Sequence, residues 1–174
     1  MLFRSAKLAS EYYLATFAQL YGVETAALRY SNVYGPRQNA HGEAGVVAIF
    51  ARKIVAGEPL TVFGDGDQTR DMVYVKDVAA ANLAASERAL PALAGLDARA
   101  WNVGTGVETT VNRIAELLAA AAGRRGDVRH APERPGELRR SAVAVGKAAR
   151  ELGWRPRTAL ADGLRATVRT IAED

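Results

Sequence analysis

Arg29-Tyr30-Ser31-Asn32-Val33-Tyr34-Gly35-Pro36-Arg37 decides how this 174-residue chain is read. Tyrosine and valine favour an extended run, and Gly-Pro stops it. The run therefore brings the Asn32 amide to a turn at the carboxyl end of a strand, where open α/β sheets place their ligands. About thirty residues later, Phe63-Gly64-Asp65-Gly66-Asp67-Gln68-Thr69-Arg70-Asp71 is a glycine-and-aspartate turn that ends by presenting an arginine. An amide at a strand end and an arginine on a turn are donors that suit a diphosphate.

Outward from these runs, the pattern alternates helices and strands. Leu8, Tyr12, Ala15 and Gln19 form a stripe that predicts a helix over Ala6 to Tyr21, stopped by Gly22. Val23 to Tyr30 reads as the strand leading into the Asn32 turn, and residues 38 to 45 as a loop. A helix over Val46 to Ala56 closed by Gly57, a strand over Leu60 to Phe63 and an extended run over Met72 to Val75 follow. Next come a helix over Ala79 to Leu90 and a surface connection over Pro91 to Ala98. Trp101 to Gly106 reads as a strand with a glycine turn, ahead of a helix over Thr110 to Ala122. The remainder predicts a short strand near Val128, a helix over Val145 to Leu152, a break at Gly153-Trp154-Arg155-Pro156 and a final helix capped by Thr158. Such alternation argues for one α/β unit.

Bulk composition narrows the function classes. Hydrophobic residues make up 49% and charged residues 24%, which is ordinary globular composition rather than that of a disordered tail. With no cysteine, neither a disulfide framework nor a thiolate metal site is available, and His41 and His130 are too few for a histidine site, so no metal is expected. No apolar stretch approaches the roughly 18 residues of a membrane span, and no leader pattern opens the chain, so a cytoplasmic protein with no membrane partner is expected. The net charge of +4 and the arginines at 124, 125, 129, 134, 139 and 140 raise the question of nucleic acid. Between Trp101 and Trp154 there is no aromatic residue to stack a base, so no nucleic-acid partner is expected.

The two opening runs, in this order, resemble the extended short-chain dehydrogenase/reductase family, and within it the nucleotide-sugar epimerases and dehydratases. Ser5-Ala6-Lys7-Leu8-Ala9-Ser10-Glu11 is similar to that family's catalytic-lysine helix, and Arg134-Pro135-Gly136-Glu137 to its late substrate motif. The resemblance implies the C-terminal half of an NAD(P)-binding Rossmann-type α/β fold with its small substrate-binding domain. It divides the chain into 1–37 (end of the nucleotide-binding domain), 38–70 (substrate-domain segment), 71–106 (return to the Rossmann-type sheet) and 107–174 (substrate-binding domain). The Gly-x-x-Gly-x-x-Gly turn that binds the dinucleotide pyrophosphate is missing from the sequence; Gly104 and Gly106 lack the third glycine and read as a structural turn. The chain is therefore expected to be the second half of a family member, beginning inside the lysine helix.

The same resemblance implies an NAD-dependent epimerase of the UDP-glucose 4-epimerase type, with NAD taking a hydride from C4 of a UDP-hexose and returning it to the other face. A Tyr-x-x-x-Lys pair carries the acid–base chemistry in that family. Lys7 matches the lysine, whereas Phe3 occupies the tyrosine position and has no proton to exchange, so the chain is expected to be catalytically incomplete. Lys7 and Tyr30 are implied at the nicotinamide end of the cofactor. Asn32, Arg70 and Arg134 are implied on the substrate diphosphate, Thr61 and Phe63 on the base, Glu137 on the ribose and Ser141 beside the hexose. Asp71 and Asp77 read as structural. A UDP-sugar is the implied partner, with a homodimer possible for the full-length form. A nucleotide-sugar dehydratase or decarboxylase of the same family, or a non-catalytic nucleotide-sugar binding fragment, are the alternatives.

Overall fold

The computed structural model describes residues 2–39 and 45–173, with only the backbone for Leu2, Phe3 and Arg4. His41 and most of the 38–45 loop lie outside the described residues, as does the side chain of Phe3.

The chain forms strands β1 (Ala27–Tyr30), β2 (Asn32–Tyr34), β3 (Leu60–Phe63), β4 (Thr69–Arg70), β5 (Met72–Tyr74), β6 (Ala100–Val103), β7 (Thr109–Thr110) and β8 (Val128–Ala131). Between them run helices α1 (Leu2–Tyr21), α2 (Val46–Ala56), α3 (Val75–Glu87), α4 (Val111–Ala121) and α5 (Leu160–Glu173). A short 3₁₀ turn spans Leu96–Arg99 and a π-helical stretch spans Ala148–Leu152. The α/β alternation expected from the sequence is present.

The strand expected over Val23 to Tyr30 starts at Ala27 and ends at Tyr30 as expected, and after Ser31 the run continues as a second strand, β2, that the sequence reading did not give. The Ser31 amide donates to the Val103 carbonyl at 2.9 Å, and the next amide, of Asn32, donates to the Asp71 carbonyl at 2.9 Å. Neighbouring amides of an extended chain point to opposite sides, so the run 27–34 has β6 on one side and β5 on the other. Both pairings are parallel, Ala27 opposite Ala100 and Asn32 opposite Met72. The Asn32 position is therefore where the run passes from one neighbour to the other. β3 pairs with β8 in parallel, and β4 with β7 antiparallel.

Two apolar clusters hold these elements. One joins Tyr34, Phe50, Leu60, Val62, Ile114, Leu118 and Leu164, so that α2, α4 and α5 close over β2 and β3. The other joins Val73, Val78, Trp101, Val103, Leu152 and Trp154, covering β5 and β6 with α3 and the π-helical stretch. Fully burying one such side chain contributes about 1.5–3 kcal/mol. Arg29 ties α1 to the sheet: its guanidinium donates to both Glu11 oxygens at 2.7 and 2.6 Å and reaches Asp97 at 2.8 Å. The hydrogen bond with Glu11 is the main cause of the raised Arg29 pKa.

Several boundaries differ from the sequence expectation. α1 begins at Leu2 rather than Ala6. α3 begins at Val75, directly after β5, rather than at Ala79, with Asp77 buried in its first turn. The last helix starts at Leu160; the Thr158 amide is bound to Asp77 Oδ2 at 3.0 Å. No described helix is long and apolar enough to cross a membrane.

Candidate functional site

A cleft of about 540 Å³ opens beside Asn32, between β3, the start of α2 and the segment around Arg134. Six of the residues expected at a substrate line it: Asn32, Thr61, Phe63, Arg70, Arg134 and Glu137. They come from β2, β3, β4 and the loop after β8, so the fold brings together side chains as much as a hundred positions apart in sequence.

Arg70 is built into the wall. Its Nη1 donates to the carbonyls of Thr69 and Leu138, both at 2.7 Å, and its Nη2 to Glu137 Oε1 at 2.8 Å. A guanidinium carries five N–H donors, so two remain for a ligand, one of them at Nε. Arg134 is held differently, with its guanidinium carbon 3.8 Å from the centre of the Phe63 ring. That stacking leaves its hydrogen-bonding edges open. Glu137 spends one oxygen on Arg70, while Oε2 is buried without a partner.

The main chain of β3 completes one wall. The Leu60 amide donates to Asp127 and the Gly64 amide to Ala131, so even-numbered residues face β8. Thr61 and Phe63 accordingly turn their main-chain groups to the opposite side. There Gln68 Nε2 donates to the Phe63 carbonyl at 2.8 Å.

A strap crosses the Gly-Asp turn and fixes the arginines. The Thr69 amide donates to the Arg139 carbonyl, Arg139 grips Asp65 with two bonds of 2.8 and 2.7 Å, and Arg140 pairs with Glu108 at 2.9 Å. The Arg139 guanidinium holds the Asp65 carboxyl down at about 2. Beneath the strap, Asp71 is fully buried and accepts from the Thr105 amide (2.8 Å), the Thr105 hydroxyl (2.7 Å), the Gly106 amide (2.9 Å) and the Val143 amide (3.3 Å). Asp77 accepts from Thr158, while its carbonyl takes the Trp154 indole N–H at 2.9 Å. Both aspartates act structurally, as their sequence setting suggested.

Three expected site residues lie away from the cleft lining. Lys7 is exposed on α1. Tyr30 lines a second depression between β1 and α3, where its hydroxyl donates to Asn82 Oδ1 at 2.9 Å. Ser141 is half-buried within the strap, its amide donating to Thr69 Oγ1 at 3.4 Å. The cleft also contains Gln68, Lys53 and the apolar face of α2, which the motifs did not single out. Gln68 stands inside the Gly-Asp motif, but only its burial distinguishes it from an ordinary turn residue.

The Gly104–Gly106 turn follows a strand, as a dinucleotide cradle does, yet its Thr105 and Gly106 amides are already committed to Asp71. A Cβ at Gly104 would stand 2.6 Å from Asp71 Oδ2, so this glycine serves close packing onto the carboxylate. The turn does not fit a pyrophosphate. Among the described residues no group of three His, Cys, Asp or Glu side chains could hold a metal ion.

The family model described as "NAD dependent epimerase/dehydratase family" matches residues 2–104, more than half of the chain. The chain belongs to that family. Within it, the UDP-glucose 4-epimerase of Mycolicibacterium smegmatis is 43% identical over 166 residues, covering 95% of this chain and 51% of that protein. The Thermotoga maritima UDP-glucose 4-epimerase, solved with UDP-glucose, superposes with a TM-score of 0.89 at 43% identity, covering 97% of this chain and 52% of the other. The Thermus thermophilus UDP-glucose 4-epimerase, solved with NAD, gives 0.82 at 42% identity, covering 94% and 51%. The chain thus has the α/β fold of this epimerase family and spans about half the length of the curated relatives it matches. The family match takes in Lys7, Tyr30, Asn32 and Arg70; Arg134, Glu137 and Ser141 lie beyond it.

Proposed function

We propose that the cleft binds the nucleotide end of a UDP-hexose and that the chain acts within an NAD-dependent 4-epimerase of the UDP-glucose 4-epimerase type. The observation that carries this reading is the convergence of Asn32, Arg70 and Arg134 on one cleft that β3 also lines. The relative solved with UDP-glucose supports it. Arg70 and Arg134 supply oriented donors to the diphosphate, and Asn32 adds an amide at the strand end. Thr61 and Phe63 offer main-chain groups to the base, and the unpartnered Glu137 Oε2 accepts from ribose hydroxyls. Ser141 stands nearest the hexose in this scheme, and Lys7 and Tyr30 belong to the nicotinamide end.

NAD supplies the hydride acceptor and donor at C4 in such an enzyme, a dependence supported by family membership and by the NAD complex of the Thermus relative. The residues described here offer the cofactor no pyrophosphate cradle, so their part in the reaction is to hold and orient the sugar nucleotide. Segments 38–70 and 107–174 form the substrate side in this reading, and 1–37 with 71–106 the cofactor side. The whole enzyme would act in the cytoplasm as a homodimer. Calorimetric titration of the 174-residue chain with UDP-glucose, followed by displacement with UDP, tests the proposal. Saturable binding that UDP competes away is the expected result, and absence of binding by both ligands overturns it.

A further inference from the structure

Gln68 is more than nine-tenths buried, lines the cleft, and leaves its Oε1 without a hydrogen-bond partner. The assignment of its two amide atoms is fixed chemically, because Nε2 lies 2.8 Å from the Phe63 carbonyl and an oxygen there would set two acceptors against each other. The orphan is therefore an acceptor. An unsatisfied acceptor buried in a ligand cleft is costly unless something donates to it. Arg70 gives three hydrogens to Thr69, Leu138 and Glu137, and neither of its two others bonds Gln68 Oε1. A phosphate, which only accepts, cannot donate to it.

We propose that Gln68 is a specificity-determining residue of the cleft, its Oε1 accepting from an O–H or N–H donor on the nucleoside part of the bound nucleotide. The proposal rests on the nucleotide-binding reading above. Two features place the contact at the nucleoside rather than at the diphosphate. Gln68 is anchored on the carbonyl of Phe63, at the β3 wall, and the arginines that suit phosphates offer donors only. The same anchor gives Gln68 a positioning role, since it steadies the residue whose ring carries the Arg134 guanidinium.

The test is a ligand-by-variant cycle on the 174-residue chain. Affinities for UDP, 2′-deoxy-UDP, 3′-deoxy-UDP and N3-methyl-UDP are measured by calorimetry for the wild type and for Gln68→Met. A neutral hydrogen bond predicts that one analogue binds the wild type about 3- to 10-fold more weakly than UDP, and that this ratio falls to about one in the variant. A deoxy analogue behaving this way identifies a ribose hydroxyl as the donor, and the methylated base identifies the imide N–H. A purely structural role weakens every ligand equally and leaves all ratios unchanged, which overturns the proposal. Gln68→Asn, which keeps both polar groups on a shorter arm, serves the same cycle if the methionine variant does not fold. Failure of UDP itself to bind the wild type removes the nucleotide reading together with this one, whereas normal UDP binding with unchanged ratios removes this one alone.

Discussion

Arg70 and Arg134 reach the same cleft by different means, and that difference predicts that their removal will separate binding from stability. Arg134 is exposed and held by its stack on Phe63, an arrangement worth about 0.5–1 kcal/mol at an exposed site. Arg134→Ala should therefore leave the urea midpoint nearly unchanged. Its contribution to a phosphate is of the charge-assisted kind, about 1.5–3 kcal/mol, so the Kd for UDP should rise about 10- to 150-fold. Arg70 carries the same ligand contribution and a structural one besides. Its side chain is 17% exposed and that of Glu137 22%, so truncating the arginine strands a mostly buried carboxylate whose second oxygen already lacks a partner. Breaking a buried pair costs about 3–5 kcal/mol, and residual solvent access at this one lowers the expectation to about 2–3 kcal/mol. Arg70→Ala should thus lose both UDP affinity and stability. Calorimetry with UDP and urea unfolding, run on wild type and both variants, read the two quantities independently. Unchanged UDP affinity in Arg134→Ala refutes the clamp, and an unchanged urea midpoint in Arg70→Ala refutes the wall-building role of its ion pair.

Asp71→Ala should destabilise the fold by about 3–5 kcal/mol in urea unfolding, because it leaves the Thr105 and Gly106 amides without their charged acceptor; a loss below about 1 kcal/mol would show that the turn finds other partners. Gly104→Ala should lower stability by about 1–3 kcal/mol by the same measurement, since the new methyl would lie 2.5 Å from Val143 Cγ2 as well as against Asp71. The Asp65–Arg139 pair predicts an acid response: the aspartate pKa is lowered in the folded state, so the pair's contribution is fully present above about pH 4 and is lost as pH falls toward about 2. Urea midpoints measured from pH 5 to pH 2 should fall more steeply for wild type than for Arg139→Ala, and coincident curves would exclude the pair from the acid transition.

How much of this was legible in the sequence follows from what each signal depends on. α2 and β3 end where the sequence places them, Val46–Ala56 and Leu60–Phe63, because Gly57 adopts the left-handed conformation that closes the helix (φ 74°) and the strand is a short apolar run. The end of β1 at Tyr30 was legible, whereas the continuation of the run as β2 beyond Ser31 was not, since it depends on pairing with a different strand. The two-residue bridge between β4 and β7 is likewise a product of tertiary pairing. At the site, the motifs that carry the family resemblance pointed to six residues that line the cleft. They missed Gln68, whose significance lies in an unpaired buried atom. Tyr30 shows the limit from the other side, since sharing a motif with Asn32 does not bring it to the same cavity.

The adjacency of Arg70 and Asp71 explains why the site's geometry is tied to the fold. In an extended chain consecutive side chains point to opposite sides, so one residue can face the cleft while the next faces the interior. Arg70 turns to Glu137 and the cleft, and Asp71 turns inward to gather the turn after β6 and the amide of Val143. The strap that carries Glu137, Arg139 and Arg140 is thereby fastened at both faces of one short strand: by Arg70 on the outside and by Asp71 beneath. Exposed ion pairs such as Arg140–Glu108 add little by themselves. The buried Asp71 carboxylate and the mostly buried Arg70–Glu137 pair set the position of the strap, and through it the distance between the two arginines that a diphosphate would span. A ligand that draws Arg70 toward itself must therefore work against bonds that also hold the strap, which makes phosphate binding and strap stability one coupled equilibrium.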